Sequence, residues 1–386
     1  VAITGYGVVA PCGIGKQAFW AGLNGPGLSS GRKVEIADWD PSPYYDNPKE
    51  ARRADRVEQF AVAAAAECFE HAGMPRLDPS RIGTIFGTGV GGLRSIEDQI
   101  EVMLTKGERR VSPFLVPMMM ANASGAAISM KYGLRGPNET ITTACAASTH
   151  ALGYAARMIA WGMIDACVSG GSESAGCRIG ESSFGNMTAL STLGHSVPFS
   201  PDRDGFVLGE GAAVFMLEEW SLAEARGATI WGEVLGAASN ADAHHITAPA
   251  PGGVGAIACM RLALADAGLD PADIKQVNAH GTSTPLNDAA EAAAMTAVFG
   301  ARGVPVVSTK GVTGHALGAA GALEAAAVLL SMQHGVIPPT AGTTQLDDGF
   351  EIDLVMGQAR PWTPGPAMSN SLGFGGHNGS IILGPA

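Results

Sequence analysis

The sequence predicts a layered α/β fold with mainly parallel strands, and three observations carry that expectation. Short apolar runs alternate with longer alanine-rich segments along all 386 residues, the pattern of strands followed by crossover helices. Fifty-three glycines, many beside alanine, suggest close backbone packing and tight turns. Only 16% of residues are charged against 46% hydrophobic, so polar surface is scarce and a deep core with a large buried subunit interface is favoured.

Taken in order, residues 1–3, 82–86, 166–169, 213–217, 276–278, 304–308 and 380–383 read as buried strands. Residues 56–72, 148–163, 254–267 and 321–333 have helix length and composition. The length predicts two or three domain-sized units, and the sequence hints at duplication. Thr143-Ala144-Cys145 leads into His150-Ala151-Leu152-Gly153, and Ser308-Thr309-Lys310 leads into His315-Ala316-Leu317-Gly318, each followed by a helix. Two related halves, 1–230 and 231–386, are expected.

Charge and cysteine usage narrow the function classes. The net charge is −12 and there is no run of five basic residues, which argues against a nucleic-acid partner. The cysteines (Cys12, Cys68, Cys145, Cys167, Cys177 and Cys259) include no C-x-x-C pair. Free thiols in a reducing, cytoplasmic setting are expected, with no disulfide frame and no metal. The opening Val1-Ala2-Ile3-Thr4-Gly5 does not read as a signal peptide. Residues 111–130 are uncharged and long enough to cross a bilayer, but Pro113, Pro117 and Asn122 interrupt them. A buried loop and helix is the expectation there, with no membrane association.

The chemistry concentrates in three places. Cys145 lies between Ile141-Thr142-Thr143 and a helix-forming stretch, where a helix N-terminus would favour a thiolate. Read alone, it is equally a small core residue. His280 follows a short apolar run and precedes Gly281-Thr282-Ser283-Thr284-Pro285, placing it at a strand end. His315 sits among small residues with Lys310 five positions earlier. A lone histidine is usually structural, whereas two in glycine-framed turns beside a lysine and a distant cysteine point to a reactive centre. His244-His245 lacks a third ligand at suitable spacing.

These segments together resemble the elongating β-ketoacyl-acyl-carrier-protein synthases. The resemblance rests on Thr143-Ala144-Cys145-Ala146, the run from Asn278 through His280 to Asp288, and the run from Ser308 through Lys310 to His315. Pro201-Asp202-Arg203-Asp204-Gly205-Phe206-Val207-Leu208-Gly209-Glu210-Gly211 and Gly373-Phe374-Gly375-Gly376-His377-Asn378 add to it. It implies a thiolase-like fold, two similar halves forming a layered α-β-α-β-α sandwich, and an obligate dimer, either a homodimer or a heterodimer with a homologous subunit. It further implies a decarboxylating Claisen condensation with no cofactor, both substrates arriving on the phosphopantetheine of acyl carrier protein.

The same resemblance assigns roles. Cys145 would carry the acyl chain, and neutral His280 and His315 would hydrogen-bond the malonyl thioester oxygen. Lys310 would orient His315 or Glu324, and Phe374 would gate the two substrates and supply one oxyanion amide beside that of Cys145. Asp288 and Glu324 would support the site; an unpaired carboxylate in the apolar run around Glu324 would be costly. Thr282 and Thr284 would bind pantetheine, or simply serve the turn before Pro285. Val90 would limit chain length, or simply pack. Lys49, Arg52, Arg53 and Arg56, with Arg109 and Arg110, would dock the acidic carrier. The segment 172–198 departs most from the family pattern. The rivals are a degradative thiolase or related acyltransferase, a chain-length-factor-type partner lacking the nucleophile, and a cysteine hydrolase. No cysteine follows Cys259, where a thiolase would need one.

Overall fold

A computed structural model describes residues 1–29 and 31–386. The first half contributes strands β1 (Ala2–Ala10), β2 (Ile82–Gly87), β3 (Asn138–Ile141), β4 (Ala166–Glu173) and β5 (Gly211–Glu218). The second contributes β6 (Gly232–Ala241), β7 (Gln276–Asn278), β8 (Pro305–Val307), β9 (Ala367–Gly373) and β10 (His377–Gly384). Their spatial orders, β3-β2-β4-β5-β1 and β8-β7-β9-β10-β6, are the same topology written twice. Antiparallel pairing of Ala2 with Glu233 and Ile3 with Gly232 joins the two sheets.

The sheets are mixed, and the expectation of mainly parallel strands is corrected. In each half the strand second in sequence has two parallel neighbours, while the remaining two pairings are antiparallel. β9 and β10 show why, because a tight turn pairs Gly373 with His377, and only antiparallel neighbours accept so short a connection.

Helices α1 (Arg56–Ala72), α2 (Ala147–Ala160), α3 (Val254–Ala267), α4 (Pro285–Phe299) and α5 (Ala320–His334) complete the layers. Alternate strand residues face different cores, as the two-residue period requires. Phe215, Leu217, Ile381 and Leu383 pack with α2 and α5 in a central core. Val214 and Met216 face α1, and Ile382 faces α3 and α4, in the two outer cores. The result is the α-β-α-β-α sandwich of two similar halves. α5 is buried on nearly every face, which its continuous apolar composition dictates.

The duplication is real, but the matched tetrapeptides do not mark its register. Short 3₁₀ turns, Ala144–Ala146 and Leu317–Ala319, precede the two central helices. Each begins at positive φ, +50° at Ala144 and +42° at Leu317. Cys145 therefore corresponds to Gly318, and the resemblance of residues 150–153 to 315–318 is a compositional coincidence. β3, β6 and β9 escaped the sequence reading for a physical reason. β9 buries Ser369, Asn370 and Ser371, so no apolar run announces it.

Residues 111–130 form two helices, Leu115–Met119 and Ala123–Tyr132. The second is partly buried as expected, while the first exposes Val116 and Met119, and Met120 just after it is exposed too. Among the described residues no helix is long and apolar enough to cross a membrane.

Candidate active site

Three adjacent parallel strands of the second half bring their C-terminal ends together. β8, β7 and β9 pair in that order, Asn278 opposite both Val307 and Ser369. The chain leaving β7 carries His280, the chain leaving β8 carries Lys310 and His315, and the turn leaving β9 carries Phe374. Cys145 enters from the first half on the Ala144–Ala146 elbow and starts α2. Cys145 Sγ lies 3.1 Å from His315 Nε2, and the His280 and His315 rings stand edge to face at 5.1 Å. All of these groups are buried: Cys145 is 6% exposed, His280 1%, His315 3% and Lys310 1%.

The protonation states follow from the surroundings. Burial, then Lys310, then His315 hold His280 well below the usual histidine range. Burial and Lys310 do the same to His315. Lys310 Nζ lies 3.3 Å from His280 Nδ1 and donates to His280 O at 2.6 Å. An ammonium can only donate, so His280 Nδ1 accepts and Nε2 carries the proton. That fixes His280 as a hydrogen-bond donor toward the sulfur side.

Burial pushes the Cys145 thiol up to about 12, against the opposing pull of Lys310 and of the Phe374 amide. A helix terminus stabilises a thiolate by about 1 kcal/mol, less than a tenfold effect on acidity. Burial wins, and the resting group is a thiol.

Ligand atoms of Cys145, His280 and His315 lie within 4.8 Å of one another, a separation that suggests a metal. The chemistry does not fit one. The Lys310 ammonium occupies His280 Nδ1 and keeps the proton on Nε2, leaving that nitrogen no lone pair to ligate with.

Lys310 forms a buried ion pair with Glu324, so it orients Glu324 and His280, not His315. His315 is placed instead by the first half: its N–H donates to Val207 O at 2.7 Å, and its O accepts from Gly209 N at 3.0 Å. This explains the run Phe206–Gly209 beside the site. Asp288 does not reach the cluster, since its carboxylate accepts from Phe199 N at 2.8 Å. The acid beneath His280 is Glu291, which the sequence reading missed. It accepts from the His280 and Gly281 amides at 2.7 and 2.8 Å. A glutamate inside the apolar run of α4 was the available signal, the same one that drew attention to Glu324.

A cavity of about 500 Å³ opens onto Cys145, His280, His315 and Phe374. Thr282 and Thr284 line it, along with Phe184, Met187 and Phe206. The two threonine hydroxyls meet at 2.9 Å, and Thr284 also caps α4. Two expectations fail. Val90 is 42% exposed and does not line the cavity, because its glycine-rich loop turns it outward before the helix Leu93–Lys106. Arg56 is not a free docking cation: its guanidinium grips buried Glu210 through Nε at 3.1 and 3.0 Å and through Nη2 at 2.5 Å. Lys49, Arg52, Arg53, Arg109 and Arg110 are exposed. Arg53 lies 4.2 Å over the Phe114 ring, which brings the two basic clusters onto one face.

A buried thiol before a helix, in contact with one of two neutral imidazoles and open with them to a mainly apolar cavity, defines an enzyme of acyl-thioester chemistry. The family model for the β-ketoacyl synthase N-terminal domain matches residues 26–223, and that for the C-terminal domain matches residues 231–344. The 3-oxoacyl-[acyl-carrier-protein] synthase 2 of Synechocystis sp. is 41% identical over 99% of this chain and 97% of its own. The ishigamide ketosynthase/chain length factor structure is 33% identical with a TM-score of 0.92, covering 100% of this chain and 98% of that one. A type II polyketide ketosynthase solved with its acyl-carrier protein and bound to the hexaketide is 29% identical, TM-score 0.91, covering 100% and 99%. The chain belongs to the β-ketoacyl synthase family.

Proposed function

We propose that this enzyme is an elongating β-ketoacyl-acyl-carrier-protein synthase. Acyl transfer from a carrier thioester forms the Cys145 thioester and releases the carrier thiol. Neutral His315, 3.1 Å from the sulfur, accepts the thiol proton and passes it to the departing carrier sulfur, which returns the ring to neutral. Its Nδ1 has no hydrogen-bond partner among the described residues, so no neighbour fixes its tautomer and the same ring serves as acceptor here and donor later. Malonyl-carrier protein then enters. Its carboxylate leaves as CO2, and the electron pair of the broken C–C bond moves into a thioester enolate. His280 and His315 Nε2–H groups hold that oxygen, each donor contributing roughly 3–4 kcal/mol in a dry site. The enolate carbon attacks the Cys145 thioester, whose oxyanion meets the Cys145 and Phe374 amides. Collapse expels the Cys145 thiolate, which takes one proton from solvent to return to the resting thiol, and yields a β-ketoacyl-carrier protein two carbons longer.

The close approach of Cys145 to His315, with His280 beside it as a fixed donor, carries this reading. It argues against the acyltransferase and chain-length-factor-type alternatives, in which the cysteine or the paired imidazoles are dispensable. No further cofactor is needed, because both substrates are already activated as thioesters. The pathway is fatty-acid or reducing type II polyketide/polyene synthesis, and the mass of the acyl group on Cys145 in the native host separates these.

The partners are acyl carrier protein, drawn to the face bearing Lys49, Arg52, Arg53, Arg109 and Arg110, and a second ketosynthase-like subunit. β3 is an open sheet edge just before Cys145, with exposed Val116, Met119 and Met120 elsewhere on the same half, features that suit pairing with another copy or a homologue. Six free cysteines suit the cytoplasm.

Cys145→Ala is expected to abolish acyl loading, measured by intact-protein mass. His280→Ala is expected to preserve loading and lower CO2 release from malonyl-carrier protein by about a hundredfold. Normal CO2 release would remove His280 from this role.

A further inference from the structure

The two oxyanion amides come from segments far apart in sequence. The Cys145 amide rides on the elbow that begins at Ala144, φ +50°. The Phe374 amide rides on the turn between β9 and β10. His150, in the first turn of α2, touches both supports and has no part in the reaction scheme above. Its Nδ1 lies 2.8 Å from the hydroxyl of Thr143, the residue before the elbow. Its Nε2 lies 3.0 Å from the Asn378 carbonyl on β10.

A carbonyl only accepts, so His150 Nε2 carries the proton. On a neutral ring Nδ1 then accepts from the Thr143 hydroxyl. Burial, with His377 and Arg157 nearby, holds His150 below the usual histidine range and favours that neutral ring. The surroundings leave little slack. A methyl at Gly379 would stand 2.9 Å from the imidazole, and one at Gly373 would stand 3.0 Å from Thr143 O and 3.2 Å from Cys145 N.

We propose that His150 is a positioning residue for acyl transfer, tying the Cys145 elbow to the Phe374 hairpin and so setting the spacing of the two oxyanion donors. The inference rests on the function proposed above. It predicts a split between steps, because the tetrahedral oxyanion formed in acyl transfer onto Cys145, like that formed when the thioester is attacked, meets the paired amides, whereas malonyl decarboxylation uses the His280 and His315 Nε2 groups.

The test compares wild type, His150→Phe, Thr143→Val, their double variant and Thr143→Ser in the full-length protein. Two rates are measured: acyl loading of Cys145 from acyl-carrier protein, and CO2 release from malonyl-carrier protein without an acyl donor. His150→Phe and Thr143→Val are expected to slow saturated loading at least about tenfold, with KM little changed. CO2 release should stay within about twofold of wild type. Thr143→Ser, which keeps the hydroxyl, should restore loading, and the double variant should be no slower than the slower single. Loading at the wild-type rate in both single variants, or an equal fall in both rates, overturns the proposal. If His150→Phe does not fold, Thr143→Val decides alone, since it removes one hydroxyl at constant shape. Absence of acyl transfer to Cys145 in the wild type would instead overturn the proposed function.

Discussion

At the residue scale, burial sets the chemistry more than any single partner does. It keeps both histidines neutral and Cys145 protonated, and it makes the Lys310–Glu324 pair costly to break. Lys310→Ala leaves the Glu324 carboxylate buried without its partner and is expected to destabilise the protein by about 3–5 kcal/mol, measured by denaturant unfolding. The double variant Lys310→Met/Glu324→Leu should recover most of that loss, and no recovery would mean that the pair does more than neutralise itself. The neutral histidines also fix the direction of the pH dependence. Because their values are depressed, the active neutral form persists as pH falls below about 6.5, the ordinary histidine value. CO2 release from malonyl-carrier protein should therefore stay flat from pH 8 to below 6.5, and an acid limb centred near 6.5 would contradict the assignment.

At the element scale, the site depends on tight contact between an elbow and a hairpin. Gly373 is the gauge of that contact, since an added methyl would press on Thr143 O and the Cys145 and Ala146 amides at 3.0, 3.2 and 3.3 Å. Gly373→Ala is expected to slow acyl loading about tenfold while leaving the unfolding midpoint nearly unchanged, as read by mass and by thermal melting. Wild-type loading would show that the elbow shifts freely. This scale also separates what the sequence discloses from what it conceals. Cys145, His280, Lys310 and His315 each follow a strand and sit among small residues, so they stand out. Glu291, His150 and the outward turn of Val90 depend on which segments meet, and spacing along the chain carries no such information. Arg56 looked like one more surface cation because Glu210, its buried partner, lies 154 positions away.

At the scale of the whole molecule, two halves of one topology have diverged at equivalent elbows. The first presents a sulfur to the cavity. The second has Gly318, where a side chain would collide with the Gly89 amide, and its N–H is taken by the Glu173 carboxylate at 3.1 Å. The alternation of strands and helices disclosed the fold class, and the ordered motifs disclosed the thiolase-like plan. The strand order could not be read, because polar β9 and small-residue β6 lack an apolar signature. The open edge at β3 makes assembly a whole-molecule property. Thr140→Pro, which places proline in that strand, is expected to shift the protein toward monomer in sedimentation velocity and to lower condensation. An unchanged dimer would place the interface elsewhere.

The most direct measurement follows one protein sample by mass through both half-reactions. After incubation with acyl-carrier protein, the peptide containing Cys145 should gain the acyl mass. Addition of malonyl-carrier protein should then remove that mass, with one CO2 and one β-ketoacyl-carrier protein formed per acyl group lost. An acyl group on another residue, or one released as free acid when malonyl-carrier protein is added, would contradict the account.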